Sequence, residues 1–157
     1  MQEPPTPIAT ISVSSSIHGR DFDIDALSEA AGRSPSNVWH PNKRFLQRNP
    51  KFYEDHPQYP TLGWSYELVK HPFWSIDDAI REVLAPFRAR REQIVAFARE
   101  HDCSIHIRCQ LFGDETVIVY MIETATIADL AAFNCSISFT IDPDAITAAE
   151  EEQDRKE

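Results

Sequence analysis

The sequence predicts an α+β domain in which an antiparallel sheet is covered by helices on one face. Three observations lead there. The longest helical pattern, residues 75–101, has strand-like runs on both sides of it. Those runs alternate apolar and polar residues at the period of a half-buried strand. The segments follow one another as strand, helix, strand, long helix, strand, strand, helix, strand.

Residues 1–7 are proline-rich and expected to be disordered. Residues 8–17 read as a strand. Ala9, Ile11 and Val13 alternate with Thr10, Ser12 and Ser14, so one face is apolar and the other carries small polar groups. Residues 23–32 read as a short helix, with Asp23 as N-cap and Gly32 as the C-terminal stop. Residues 33–61 hold Pro35, Pro41, Pro50, Pro57 and Pro60 and sustain no period, so they read as a long irregular loop. Trp39, Phe45, Phe52, Tyr53 and Tyr59 argue against plain disorder there. Residues 62–70 read as a strand, with Leu62, Trp64, Tyr66 and Leu68 opposite Gly63, Ser65 and Glu67.

In the long helix, Ile76, Ile80, Val83, Leu84, Phe87, Ile94, Val95 and Ala98 fall on one face. Ser75 and Asp78 resemble a capping box. Pro86 cannot donate the hydrogen bond its position requires, so the helix either kinks there or restarts with Pro86 in a first turn. Arg88 stands four residues before Glu92, the spacing of a weak helical ion pair. Residues 103–111 form a strand with Cys103, Ile105, Ile107, Cys109 and Leu111 on one face and Ser104, His106, Arg108 and Gln110 on the other. Phe112-Gly113-Asp114 reads as a turn, and residues 116–123 as a returning strand that completes a hairpin. Residues 127–133 read as a helix begun by Thr126, and residues 135–141 as a last alternating strand. Residues 142–157 form an acidic tail, which leaves residues 8–141 as one domain.

Two strand–helix–strand units with an added hairpin strand match the ferredoxin-like pattern. The same order of elements, the Ala31-Gly32-Arg33-Ser34-Pro35 step, the Gly63-Trp64 strand and the Leu84-Ala85-Pro86 break resemble the bacterial domain of unknown function 4279 family. The resemblance covers roughly residues 8–141. It implies a small bacterial protein with no catalytic residues to carry over, of a kind that often serves as an immunity or antidote partner of a toxin.

The 157 residues suffice for one domain with a hydrophobic core. No apolar run reaches the length of a membrane span, and the first residues lack the basic and apolar regions of a signal peptide, so a cytoplasmic location is expected. The three cysteines suit a reducing compartment as small core residues. The net charge of −10 is uneven: −5 in residues 142–157, +3 in residues 33–62 and −8 elsewhere. That balance repels a nucleic-acid backbone and favours a basic protein partner, if the charge does more than keep the chain soluble.

Three places hold candidate chemistry. His101, Cys103, His106 and Cys109 are close in sequence, but a strand sends Cys103 and Cys109 one way and His106 the other, so no metal and no cofactor is expected. The polar sheet face gathers Thr10, Ser12, Ser14, Glu67, His106, Arg108, Gln110, Ser136, Ser138 and Thr140. His106, Arg108 and Glu67 there are the candidates for acid–base chemistry or anion binding. In the loop, Trp39, His40, Arg44, Arg48 and Tyr53, with Lys43, Lys51 and His56 beside them, mix aromatics and bases as protein interfaces do.

Two functional readings follow. The first is a non-enzymatic protein-binding module, such as an antidote to a basic toxin, that uses the loop. The second is a small-ligand-binding domain or small enzyme that uses the polar sheet face. A homodimer through that face is compatible with both.

Overall fold

The computed structural model describes residues 8–15, 21–40, 62–67, 75–112 and 121–142. Strand β1 (Ile8–Ser15) leads to helix α1 (Ile24–Ala31), a short strand β2 (Asn37–Trp39) and strand β3 (Gly63–Glu67). Helix α2 (Ile76–Leu84) passes through a 3-10 segment (Ala85–Arg90) into α3 (Arg91–Glu100). Strand β4 (Cys103–Phe112), helix α4 (Thr124–Ala132) and strand β5 (Cys135–Asp142) complete the described chain.

The strands form one five-stranded sheet in the order β2-β3-β1-β4-β5. β1 lies antiparallel to both β3 and β4, and β2 antiparallel to β3. β5 runs parallel to β4, joined to it through α4. The sheet is therefore mixed, which corrects the expectation of a purely antiparallel ferredoxin-like sheet. The α+β class stands. The hairpin expected between residues 103–111 and 116–123 does not form along Ile105–Gln110: β1 takes one edge of β4 and β5 takes the other. Residues 113–120 lie outside the described residues, and 121–123 run without strand pairing into α4.

Local chemistry sets the element ends. Asp23 caps α1 by accepting from Asp25 N at 2.9 Å and Ala26 N at 3.2 Å. Gly32 closes that helix in the left-handed region at φ 70°, where a side chain would be strained. Asp102 and Asn134 take the same left-handed turn between α3 and β4 and between α4 and β5 (φ 53° and 50°); short polar residues tolerate it best after glycine. Ser75 Oγ accepts from Asp78 N at 3.1 Å, one half of a capping box. The break at Pro86 is as expected: α2 ends at Leu84, and Pro86 enters at the start of the 3-10 turn. α4 starts earlier than expected, at Thr124 with Glu123 as N-cap. β2 lies inside the stretch that reads as irregular loop; three residues are too few to show a period.

One face of the sheet carries the core. Ala9, Ile11 and Val13 of β1, Trp64 of β3, and Ile105, Ile107 and Cys109 of β4 are buried beneath the helices. α2 supplies Ile76, Ala79, Ile80, Val83 and Leu84, and the 3-10 segment supplies Phe87. α3 adds Ile94, Phe97 and Ala98, so the apolar stripe continues across the proline break. Phe87 anchors the centre, meeting Trp64 and Tyr66 edge-on at 6.0 and 5.2 Å between ring centroids. Trp64 Nε1 donates to Ser28 Oγ of α1 at 3.1 Å. Asp77 joins α2 to α4: its Oδ1 accepts from Glu123 N at 2.9 Å, and its Oδ2 lies 3.5 Å from Arg81. Arg88 pairs with Asp129 of α4 at 3.1 Å, in place of the Glu92 that its spacing suggests.

Candidate functional site

The strand register decides which polar residues meet. Thr10 stands opposite Glu67 on one side and Arg108 on the other, and Arg108 stands opposite Ser138. One step along, Ser12 lies between Ser65 and His106, and His106 lies beside Ser136. Gln110 stands opposite Ile8 and Thr140, and Ser14 opposite Gly63 and Ser104. All ten residues expected on the polar face therefore share it, because side chains two apart on a strand point the same way and register carries that parity across the sheet.

The face is graded. Toward β3 it is closed: Gly63 and Ser65 are buried. Trp39 of β2 lays its indole directly over Gly63, so that a Cβ there would fall inside the ring. Toward β5 it is open, with Ser104, Arg108, Ser136 and Thr140 exposed.

His106 is the centre of the open part. Its Nδ1 lies 2.7 Å from Ser136 Oγ, and its Nε2 lies 2.7 Å from Ser138 Oγ. Burial, and next the neighbouring Arg108 charge, hold the imidazole below its ordinary value of 6.5. It is therefore neutral at pH 7, when one nitrogen donates and the other accepts. One serine hydroxyl must then donate into the ring. That is the first contact of a base-activated nucleophile, but such sites also orient the base with a third group. Here both ring nitrogens are used by serines, and among the described residues neither contacts a carboxylate. The geometry favours a fixed, neutral polar platform over an acid–base machine.

Arg108 projects beside this platform. Among the described residues its guanidinium makes no ion pair or hydrogen bond. Glu67 shares its row, but β1 intervenes, so their Cα atoms are about 10 Å apart at the usual strand spacing. The structure thus unites His106 and Arg108 and leaves Glu67 at the closed margin of the face.

The other candidates fare differently. Trp39 is half-buried and packs on Gly63, which gives it an internal role. His40 is exposed just after β2. Arg44, Arg48 and Tyr53 lie outside the described residues. Cys103 and Cys109 share the helix-side parity of β4, with Cys109 fully buried, while His106 faces the other way. The serine partners of His106 could not be paired with it from sequence, since 30 and 32 residues separate them.

The model of the family described as Domain of unknown function (DUF4279) matches residues 9–144 of this chain. The chain belongs to that family. No curated protein and no solved structure matches it.

Proposed function

We propose that the chain is a non-enzymatic ligand-binding module whose working surface is the β4–β5 half of the polar sheet face. Its ligand is a small molecule bearing a carboxylate or phosphate group. The observation that carries the reading is the exposed Arg108, which has no ion pair among the described residues and stands beside an imidazole that two serines hold in place. A guanidinium presents a fork of donors that fits an oxyanion. Thr10 and Ser138 flank it in register; Thr10 can add a hydroxyl donor, and Ser138 can do so when Ser136 is the serine that donates into the ring. His106, neutral and with both ring nitrogens held by Ser136 and Ser138, borders the site without adding a second charge.

Titration of the protein with phosphate and with acetate, followed by backbone amide NMR at constant ionic strength, tests this. Saturable shifts confined to residues 104–110 and 136–140, and lost in Arg108→Gln, are expected. Shifts that never saturate, or that survive Arg108→Gln, overturn it.

A second reading, an antidote-type module for a basic protein partner, draws on the net charge of −10. A pulldown at low salt that recovers no basic protein overturns that one.

A further inference from the structure

We infer that β5 is an interaction edge and that its occupant is β5 of a second copy of this chain, running antiparallel and joining two sheets into one. The inference rests on the sheet edges and not on the ligand reading above.

The two ends of the described sheet are built differently. β2 closes one end with three residues, and His40-Pro41 follow at once. A short edge strand followed by proline is a standard guard against edge pairing. β5 closes the other end with eight residues, Cys135-Ser-Ile-Ser-Phe-Thr-Ile-Asp142. It holds no proline and no lysine, and its one charge is at its last position. Among the described residues no strand pairs with its outer edge, where such a strand leaves a row of backbone donors and acceptors.

The charge pattern selects the occupant. The chain carries −10, so most pairs of identical surfaces on it would repel. The β5 edge is an exception. Residues 135–141 are uncharged, and α4 beside it has one charge, Asp129, neutralised by Arg88 at 3.1 Å. A neutral strip gives a basic partner nothing to recognise but lets a like molecule approach. Phe139 of β5 and Ile127 of α4 are 42% and 53% exposed, an unusual exposure for large apolar side chains in a strand and helix that pack together. A closed dimer needs a self-complementary patch, and a two-fold axis makes two copies of one strand antiparallel. The polar faces of both copies would then run on across the axis, with both His106–Arg108 sites on one surface.

Sedimentation velocity of the full chain from about 1 to 200 μM should show a monomer–dimer equilibrium. Hydrogen exchange over the same range should slow selectively in residues 135–142 as the dimer fills. Phe139→Lys should weaken the dimer at least about tenfold, by bringing like charges across the axis. Ile127→Lys, on an exposed helix surface, should weaken it as well and covers the case in which Phe139→Lys fails to fold. A monomer throughout the range overturns the inference, and so does a dimer whose concentration-dependent protection lies outside β5 or which survives Ile127→Lys.

Discussion

Gly63→Ala offers the sharpest test of how the closed end of the polar face is built. Gly63 lies in the extended backbone of β3, opposite Ser14 and Trp39, where alanine is ordinarily the better residue. At a compatible site, Gly→Ala stabilises by about 0.4–1 kcal/mol, because it narrows the unfolded ensemble. Here the Trp39 indole occupies the space the new methyl needs, with Cε2, Cζ2 and Nε1 its nearest atoms. The ring must lift or the strands must part, and overpacking of this kind costs about 1–3 kcal/mol. The substitution should therefore destabilise the wild-type chain by about 1–3 kcal/mol in urea titrations. With Trp39→Ala already present, the obstruction is gone and the sign should reverse to a gain of about 0.4–1 kcal/mol. The double-mutant cycle then yields a coupling of about 1.5–4 kcal/mol. A neutral or stabilising Gly63→Ala in the wild-type background would refute the reasoning, as would an equal penalty in both backgrounds.

Asp77→Ala should cost about 1–3 kcal/mol, since it leaves the Glu123 amide without its acceptor; Asp77→Asn, which keeps an acceptor, should cost less in the same denaturation assay. The Asp77 carboxyl itself sits below its ordinary 3.8: burial pushes it up, but the Glu123 amide, Thr126 and Arg81 together outweigh that. Stability from Asp77 is present above pH 3.8 and lost as pH falls through its lower folded value, a slope that Asp77→Asn should flatten in acid titrations. His106 has the same slope for the opposite charge type. Its folded value lies below 6.5, so the unfolded chain binds more protons as pH falls toward and through 6.5, and stability drops over that range. His106→Gln should remove that drop in urea midpoints measured across the same range. Burial raises the thiols of Cys103, Cys109 and Cys135 to about 11, 12 and 11, with Asp102 adding to the first. Iodoacetamide at neutral pH should label the native protein about 100-fold more slowly than the urea-unfolded chain, because the thiolate is the reactive form.

What the sequence discloses follows the range of each interaction. The Asp23 and Ser75 caps, the Gly32 stop and the break at Pro86 are decided within a few residues, and all stand where the sequence puts them. The parity of β1 and β4 is also local, so the composition of both sheet faces was legible. Strand direction was not. Alternation reads the same in a parallel and an antiparallel strand, and nothing in residues 135–141 states which neighbour they take. The start of α4 was obscured because Glu123 caps it through backbone geometry without a side-chain hydrogen bond, while the stronger signal, Thr126, turns inward toward Asp77. Arg88 has both Glu92 and Asp129 within reach of its chain, and only the packing of α4 on α2 decides for Asp129.

The corrected topology and the candidate site are one fact. A hairpin partner for β4 drawn from residues 116–123 would have set Val117, Ile118, Val119 and Tyr120 along its edge. His106 would then have met a strand that is apolar on both faces. The crossover through α4 brings β5 to that edge in parallel, and with it the alternation Ser136, Ser138, Thr140 at the spacing of His106, Arg108 and Gln110. In a parallel pair in this register, His106, Arg108 and Gln110 of β4 each gain a hydroxyl neighbour on the same face. His106 accordingly has a serine at each nitrogen, while Arg108, one pair further along, keeps its guanidinium clear of any carboxylate among the described residues. A face built only for solvation has no need of that division, in which the imidazole is tied down and the cation beside it is left available. The division is what a site needs to present one charge in a defined place, and it exists here because β5 lies parallel to β4.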